Sequence, residues 1–351
     1  MTVPLRLAIN GFGRIGRCFL RALQESSLRE KLSIVAINEI ADLESMAYLT
    51  RFDSTHGRFS GKVEVKGDHL CIDNHIIQVS HAKTPEDVDW RGLGIDILIE
   101  ASGSYVSRQE LDAFLAAGCP RLLLSHPGRD STAVDRTIIF GTNHETLSGD
   151  EQLVSAGSCT TNAVVPVLAI LDAKFGVEHA MITTLHSVMN DQPLVDCYHH
   201  SDLCRTRSAM QSMIPVETGL ARGVIRLLPQ LANRVEAKSI RVPVPSVSGI
   251  DLVVHLARAT TASEINYRLR VAAGDGSPNQ LAYTENPQAS IDFNHSLCSA
   301  VVDGSQTKVS GPRLASVLIW FDNEWGFANR MLELADFWGQ RLNRTASKGS
   351  S

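Results

Sequence analysis

Short apolar runs alternate with segments of helical spacing over the first third of the chain. The runs read as buried strands and are LRLAING, LSIVAINEI, DILIEASG and PRLLLSHPG. In FGRIGRCFLRALQES and SRQELDAFLAAG, apolar residues recur every three or four positions, which is typical of amphipathic helices. Strands that alternate with helices predict an α/β fold with a parallel, doubly wound sheet.

The pattern changes after residue 155. Segments such as HAMITTLHSVM, EAKSIRVPVPSVSGIDLVVHLA, ASIDF and LASVLIWFDNEWG favour an antiparallel or mixed sheet. Helices predicted at about 164–175, 215–228 and 262–274 would cover that sheet. The second part of the chain is therefore predicted to be a separate α+β domain.

The predicted domain boundary lies just before the first of these helices. We expect one domain over residues 1–157 and another over 158–322. A final helix over 323–342 is predicted to pack back on the first domain, and the tail 343–351 is predicted to be disordered.

Composition narrows the possible functions. Of the 351 residues, 44% are hydrophobic and 20% are charged, which is typical of a globular protein with room for two domains. The net charge of −5 argues against nucleic acid or an anionic membrane as a partner. We find no apolar signal core at the start and no apolar run long enough to span a bilayer.

The seven cysteines are scattered along the chain. An odd, scattered set in a chain of this size favours reduced thiols and a cytoplasmic location. Because the chain has no tight Cys-x-x-Cys pair, no metal site is predicted.

The junction between the first strand and the first helix reads INGFGRIGR, with glycines in the G-x-G-x-x-G spacing. The first glycine permits a tight turn, the second lets backbone approach a pyrophosphate, and the third allows close packing of helix on strand. The phosphates would sit at the helix N-terminus, as in a Rossmann dinucleotide site, although a glycine turn without a ligand is the alternative. The candidate cofactor-binding residues here are Gly11, Phe12, Gly13, Arg14 and Ile15.

Glu39 stands at the end of the second predicted strand, 23 residues after Gly16. An acidic residue at this distance is placed to accept a hydrogen bond from a ribose hydroxyl. Its charge would repel the 2′-phosphate of NADP. The sequence therefore predicts NAD as the cofactor.

Cys159 begins the stretch CTTNAVVPVLAILDAKFG, where cap residues precede an apolar helix. A thiol at a helix N-terminus faces unpaired N–H groups and the positive end of the helix dipole, which both favour the thiolate. A small, buried structural cysteine is the alternative.

His186 follows the cysteine by 27 residues, with one predicted helix and one predicted strand between them. That strand could return beside the helix N-terminus. A cysteine beside a histidine is the minimal activated nucleophile. Taken alone, a structural histidine is the alternative.

The segments INGFGRIGR, SCTTN, TTLHS, IRVPVPSVS and DNEWG resemble, in order and spacing, signature segments of the glyceraldehyde-3-phosphate dehydrogenase family over about residues 5–340. This resemblance implies a two-domain, tetrameric, NAD-dependent enzyme that oxidises an aldehyde through a thioester. INE, FDSTHGRF, SHPG, SIDFNH and VDGSQTKVSG resemble the family's erythrose-4-phosphate branch more than its glycolytic branch.

The resemblance also implies residue roles. Cys159 is the nucleophile and His186 moves protons, while Asn323 holds the nicotinamide carboxamide and Ser125 lies near the cofactor. The residues that it places around an anionic substrate are Ser158, Thr160, Arg205, Thr218, Gly219 and Arg241.

Two positions depart from the glycolytic pattern. Met189 stands where the glycolytic branch has a threonine that binds the substrate phosphate, and a thioether is a poor phosphate ligand. Ala163 replaces the second cysteine of SCTTNC, which is not the nucleophile. The phosphate of this substrate is therefore predicted to be held differently, which suits an aldehyde with one extra carbon.

The sequence thus predicts oxidation of erythrose 4-phosphate to 4-phosphoerythronate, an early step towards pyridoxal phosphate, with the thioester released by water. One alternative is a phosphorylating glyceraldehyde-3-phosphate dehydrogenase. Another, of a different class, is an NAD-binding regulatory protein without chemistry.

Overall fold

The computed structural model describes residues 3–199, 202–275 and 280–348. The chain falls into two compact units. One unit comprises Met1–Ser158 and Ala328–Ser351, and the other comprises Cys159–Phe327.

The first unit begins with alternating strands and helices, as the pattern of apolar residues predicts. Its elements are β1 (Leu5–Asn10), α1 (Arg14–Glu25), β2 (Leu32–Asn38), α2 (Leu43–Arg51), β3 (Phe52–Asp53), β4 (Gly57–Arg58), β5 (Val63–Lys66), β6 (His69–Ile72), β7 (His75–Ser80), α3 (Trp90–Leu93), β8 (Ile97–Glu100), α4 (Arg108–Ala116), β9 (Leu122–Leu124), β10 (Arg136–Thr137) and β11 (Leu153–Ser155).

Within the described residues, these strands form a nine-stranded sheet in the order β10-β11-β9-β8-β1-β2-β7-β6-β5 and a small β3-β4 pair. All neighbours from β10 to β7 are parallel, whereas β7, β6 and β5 form an antiparallel meander that the sequence analysis missed. Strand β1 lies in the middle, and its Leu7, Ala8 and Ile9 are fully buried. A strand covered on both faces is apolar at consecutive positions, which explains the continuous apolar run.

The second unit contains a long helix followed by a sheet. Its elements are α5 (Cys159–Phe175), β12 (Val177–His186), β13 (Ile214–Val216), α6 (Leu220–Leu227), β14 (Val235–Arg241), β15 (Ser248–Leu256), α7 (Ala262–Asp275), β16 (Leu281–Thr284), β17 (Ala300–Ser310) and β18 (Leu314–Phe321). The last helix, α8 (Trp325–Lys348), starts at the end of this unit, and its residues from Ala328 onward belong to the first unit.

The described strands of the second unit form a seven-stranded mixed sheet in the order β13-β14-β12-β15-β18-β17-β16. Helix α5 packs on it, with Val164, Leu168 and Leu171 fully buried. A helix that is apolar on nearly all sides belongs in a core. The predicted fold class, a doubly wound parallel sheet followed by an α+β domain with a mixed sheet, is confirmed.

One edge of the mixed sheet collects the ends of four strands. His186 ends β12 beside Arg241, which ends β14, because the two strands are parallel and in register. Ser248 begins β15 opposite Phe321, the last residue of β18, because that pair is antiparallel. Strand order thus brings together residues that are far apart in sequence.

Three predicted helix boundaries were wrong. Helix α5 begins at Cys159 itself, so Pro166 lies inside the helix rather than in its first turn. The predicted helix 215–228 is shorter, because its start pairs with β14 as strand β13. Helix α8 continues to Lys348 rather than ending at 342, since the next helix-breaking residue in the sequence is Gly349.

Across the part of the chain that the structure describes, we find no helix with both the length and the apolar character needed to cross a membrane.

Candidate active site

A buried polar network joins the carboxyl ends of β1, β2 and β8. The Asn10 amide donates to Glu100 Oε2 at 2.5 Å, and the Asn38 amide donates to Asn10 Oδ1 at 2.8 Å. Burial raises the pKa of the Glu100 carboxyl, although hydrogen bonds from Ser102 and Asn10 partly oppose the shift. The carboxyl ends of parallel strands are the usual place for a ligand crevice in such sheets.

The glycine turn follows β1 at this edge, and its geometry matches two of the three predicted roles. Gly11 has φ +88°, and a Cβ there would lie 2.4 Å from the backbone of Ser102. A Cβ on Gly16 would lie 2.3 Å from the carbonyl oxygen of Gly11. Folding therefore requires both glycines.

Gly13 is different, because it is exposed and a Cβ there would meet nothing within 4 Å. It caps helix α1 without a side-chain hydrogen bond, and the first turn of α1 carries no acidic residue. Backbone N–H groups at such a helix end suit a phosphate. The chain alone gives no reason for glycine here, whereas a pyrophosphate lying close to the backbone does.

A cavity of ≈ 400 Å³ opens beside this turn within the first unit, and its lining includes Gly13, Asn38, Glu39, Ser102 and Tyr105. The donors and the acidic residue that line it fit the adenosine and pyrophosphate groups of a dinucleotide. We therefore find that the residues present fit NAD.

Glu39 lies where the sequence predicts it, just beyond β2. Its carboxylate accepts the Phe12 N–H at 2.6 Å and the Ala41 N–H at 3.2 Å. The Glu39 carboxylate thus faces the cavity and also stabilises the glycine turn through the hydrogen bond from Phe12.

Three other candidate cofactor residues lie in the first unit, two at the start of α1 and one after β9. Arg14 forms an ion pair with Asp53, and Ile15 is half-buried in the first turn of α1. The Ser125 N–H donates to the Glu100 carbonyl at 2.9 Å, which places Ser125 just after β9.

Cys159 is the first residue of α5 and is partly exposed. Its sulfur accepts hydrogen bonds from the Thr160 hydroxyl, the Thr160 backbone and the Asn323 amide. Ser158 directly precedes it in the chain.

His186 contacts the same amide. The Asn323 Nδ2 lies 3.2 Å from His186 Nε2, while His186 Nδ1 lies 2.8 Å from the Ser187 carbonyl. A carbonyl accepts only, so Nδ1 carries the proton and Nε2 is the unprotonated nitrogen. Asn323 therefore lies between the thiol and the free nitrogen of the imidazole.

Two serines fix the orientation of that amide. Asn323 Oδ1 accepts from the Ser187 hydroxyl at 3.1 Å and from the Ser248 hydroxyl at 2.8 Å. Because the unprotonated Nε2 of His186 can only accept, the amide nitrogen faces His186 and the amide oxygen faces the two serine hydroxyls.

The electrostatics favour a neutral resting pair. Burial and the nearby Glu324 carboxylate raise the pKa of the Cys159 thiol to about 11, although hydrogen bonds from Thr160 and Asn323 oppose this. Burial lowers the pKa of His186 below its ordinary value, and the charge of Arg241 lowers it further. The sequence predicted a favoured thiolate; the hydrogen bonds from Thr160 and Asn323 act in that direction, whereas burial and the Glu324 charge act against it.

The candidate anion-binding arginines lie together. Asp191 accepts from Arg241 Nη1 at 2.6 Å and from Arg205 Nη1 at 3.0 Å. The Thr218 hydroxyl accepts the Leu220 N–H at 3.2 Å, and Gly219 caps α6. No hydrogen bond or ion pair in the described residues links Thr218 or Gly219 to either arginine.

Sequence reasoning missed four residues of this arrangement: Ser187, Asp191, Ser248 and Glu324. In the sequence, nothing distinguishes these four residues from other polar residues. Glu324 and Ser187 are sequence neighbours of candidates, which is a usable signal. Asp191 and Ser248 become visible only through strand order.

Two models of one family match this chain. The glyceraldehyde 3-phosphate dehydrogenase, NAD binding domain, matches residues 5–108. The glyceraldehyde 3-phosphate dehydrogenase, C-terminal domain, matches residues 158–323.

The matched ranges, with the fold and the glycine turn, define an NAD-dependent oxidoreductase that acts on aldehydes. The chain belongs to the glyceraldehyde-3-phosphate dehydrogenase family. The prediction that the cofactor is NAD is confirmed by the match to the NAD binding domain.

Gly13→Ala is expected to weaken NAD binding more than tenfold without unfolding the protein. The added methyl meets nothing in the chain but occupies the space beside the backbone that a pyrophosphate needs. Calorimetric titration with NAD and a thermal melt test this. Gly274→Ala, which also meets nothing within 4 Å, is the matched control. An unchanged NAD affinity for Gly13→Ala would contradict the assignment.

Glu39→Gln is expected to relax the choice of cofactor. The wild-type preference for NAD over NADP should be worth about 2–4 kcal/mol, roughly 30-fold to 1,000-fold in kcat/KM, because a carboxylate repels the 2′-phosphate. In the variant, the ratio of kcat/KM for NAD to kcat/KM for NADP should fall at least about tenfold. Steady-state rates with both cofactors measure this, and the exposed Glu44→Gln serves as control. Equal use of both cofactors by the wild type would refute the role of Glu39.

Glu324→Gln is expected to lower the pKa of Cys159, because the carboxylate charge raises it. Each unit of decrease gives about tenfold more thiolate at neutral pH. Alkylation of Cys159 by the uncharged reagent iodoacetamide, followed by mass spectrometry, measures the change. The exposed Glu236→Gln is the control. A slower or unchanged reaction in Glu324→Gln would show that this charge does not act on the thiol.

Proposed function

We propose that this protein oxidises D-erythrose 4-phosphate to 4-phosphoerythronate with NAD, through a Cys159 thioester that water releases. One observation carries the proposal: the thiol of Cys159 and the unprotonated Nε2 of His186 share the Asn323 amide. A base at this place can take a proton from the thiol and, later, from water.

In the first step, Cys159 Sγ attacks the aldehyde carbon, and His186 Nε2 takes the thiol proton and passes it to the carbonyl oxygen, which leaves a thiohemiacetal hydroxyl and a neutral imidazole. Since the pKa of the thiol is raised to about 11, attack needs this base rather than a preformed thiolate. The Cys159 N–H at the start of α5 helps to hold the developing oxyanion.

In the second step, the carbon is oxidised to a thioester, and bound NAD supplies the hydride acceptor. His186 takes the hydroxyl proton of the thiohemiacetal and releases it to solvent before the third step. By resemblance, Asn323 holds the carboxamide of the cofactor. Its two donors and two acceptor positions are already used by Cys159, His186, Ser187 and Ser248, so cofactor contact requires an exchange of one bond.

In the third step, water attacks the thioester carbonyl while neutral His186 takes its proton. The carbon–sulfur bond breaks, the sulfur takes the proton from His186 and becomes a thiol again, and the carboxylate leaves. The lowered pKa of His186 supports this role, because only the unprotonated ring can act as base.

Met189 supports erythrose 4-phosphate over glyceraldehyde 3-phosphate. Its side chain is 48% exposed in the turn after β12, where it offers no hydrogen-bond donor to a phosphate. The arginines remain as anion ligands. The reaction is an early step towards pyridoxal phosphate.

We further propose a homotetramer in the cytoplasm. The segment after β12 exposes large apolar side chains, which isolated surfaces rarely gather in one stretch. They are Leu194, Val195, Tyr198, Leu203 and Met213. All seven cysteines lie in the described residues and none forms a disulfide, which fits a reducing compartment.

The proposal predicts NADH formation from erythrose 4-phosphate in phosphate-free buffer, with a free carboxylate as product. Added phosphate should change the rate little. Cys159→Ser should lose at least about 1,000-fold in rate while it still binds NAD, because a serine hydroxyl is barely ionised. The exposed Cys197→Ser is the control.

Two outcomes would favour the alternatives. A strict need for phosphate, with acyl phosphate accumulating and glyceraldehyde 3-phosphate preferred, would identify a phosphorylating glyceraldehyde-3-phosphate dehydrogenase. NAD binding without turnover of either aldehyde would identify a regulatory protein.

A further inference from the structure

The carboxyl edge of the first sheet carries a row of polar side chains, one from each of four neighbouring strands. In the order of the strands β8, β1, β2 and β7, the row consists of Glu100, Asn10, Asn38 and Ser80, and each is the last residue of its strand. The strands are in register here, so that these residues are direct neighbours across the sheet. Side-chain hydrogen bonds therefore continue across the sheet where its backbone pairing ends.

All the hydrogen bonds within this row point the same way. The Ser80 hydroxyl donates to Asn38 Oδ1 at 2.9 Å, and the Asn38 amide donates to Asn10 Oδ1 at 2.8 Å. The Asn10 amide in turn donates to Glu100 Oε2 at 2.5 Å. A chain of aligned donors strengthens its own bonds, and it must end on a group that accepts. Glu100 is that end.

The Asn38 member of the row holds one wall of the cofactor cavity. Its Oδ1 accepts the Ala82 N–H at 2.9 Å, and its Nδ2 donates to the Ala82 carbonyl at 3.1 Å. Ala82 and Lys83 line the cavity. Because both backbone groups of Ala82 are engaged, the Asn38 amide can be turned over only with the loss of both bonds. The position of this wall thus depends on the direction of the row.

Glu100 holds the opposite wall. Its Oε1 accepts the Ser102 N–H at 2.9 Å and also the Ser102 hydroxyl. The Ser102 Oγ accepts the Ser104 N–H at 3.2 Å, and both serines line the cavity. The backbone of Ser102 is also the one against which Gly11 packs. Glu100 therefore joins the row to the second wall and to the glycine turn.

The chemistry of Glu100 explains why an acid is present in a fully buried position. Its exposed fraction is 0%, and although burial raises the pKa of the carboxyl, hydrogen bonds from Ser102, Asn10 and Gly103 oppose the shift. A carboxyl group has an oxygen on each side, so it can accept from Asn10 and Ser102 at once. Glutamine has one oxygen, and its NH₂ would face a donor of one of these two partners. The amide of the same shape therefore fails on one side.

We propose that Glu100 is a positioning residue for NAD, which sets the direction of the row and thereby holds the Ala82 and Ser102 walls of the cavity where the dinucleotide needs them. Glu100 acts through Asn10, Asn38 and Ser102 rather than on a reacting atom. A supporting group of this kind determines affinity by keeping the binding groups in place before the ligand arrives. The proposal concerns the cofactor alone, so it stands or falls independently of the aldehyde that is oxidised.

The test exchanges the acid and the amide between two neighbouring strands. In Glu100→Gln, the new NH₂ faces the NH₂ of Asn10, and in Asn10→Asp, two carboxyl groups face each other. In the double variant, the amide now on β8 donates to the carboxyl group now on β1, which still accepts from Asn38. The direction of the row towards Ala82 and the contacts with Ser102 are then restored, with the same number of carboxyl groups.

Calorimetric titration of the full-length protein with NAD measures the affinity, and a thermal melt checks folding. We expect each single variant to bind NAD at least about tenfold more weakly, because a buried donor or acceptor loses its partner. The double variant should regain most of this loss and bind within about threefold of the wild type, which is the non-additivity expected of directly coupled residues.

Glu151→Gln is the matched control. Glu151 is a buried carboxylate of the same unit that accepts the Ser148 and Gly149 N–H groups, and it lies outside the lining of the cavity. This variant should melt at a lower temperature but bind NAD as the wild type does, because it loses buried hydrogen bonds away from the row.

Two results would overturn the proposal. One is a double variant that binds NAD no better than the single variants, since the direction of the row would then not matter. The other is a Glu100→Gln protein that melts early but keeps the NAD affinity of the wild type, as expected if Glu100 serves folding alone. If the single variants do not fold, the double variant decides: it must fold and bind NAD within about tenfold of the wild type, and failure in either respect refutes the role of Glu100.

Discussion

The side-chain amide of Asn323 uses every hydrogen-bonding position it has. Its oxygen accepts from two serine hydroxyls, and its nitrogen donates to His186 and lies close enough to the Cys159 sulfur to lower the pKa of the thiol. An amide has two donors and room for two acceptor bonds, so its orientation has no freedom left. The Ser187 carbonyl fixes which imidazole nitrogen is unprotonated, and the Asn323 amide brings the thiol and the base together on one group. The chemistry proposed for this unit depends on it.

The proposed ligand sites of the two units differ in what a ligand has to displace. At the cofactor edge, folding leaves open space beside Gly13 at the N-terminus of α1, so that a phosphate finds little to displace. At the reactive edge, the polar groups are already paired, Asn323 with its neighbours and the arginines with Asp191. Binding there is an exchange of partners, which favours ligands that bring several contacts at once.

The sequence predicted what local chemistry determines. The glycine turn could be identified from its spacing, and the apolar patterns predicted the parallel part of the first sheet and the mixed character of the second, but not the antiparallel β5–β7 meander. The contacts of Asn323 could not be predicted, since Ser187 and Ser248 meet it only through the order of β12, β15 and β18. The effect of Glu324 and of burial on the pKa of Cys159 could not be predicted either, because both depend on the packed unit. The roles of the individual site residues remain predictions.

The glycine turn has a consequence for how such a chain can change over time. Gly11 is required by the backbone of Ser102 and Gly16 by the carbonyl of Gly11, so a side chain at either would collide with neighbouring backbone. At Gly13 only the bound ligand excludes a side chain, because a Cβ there meets nothing in the chain. A copy of this chain that gave up its cofactor would therefore keep the outer two glycines as long as it still folded. Drift would appear first at the middle one, so the residue at position 13, rather than the motif as a whole, distinguishes a working descendant from a retired one.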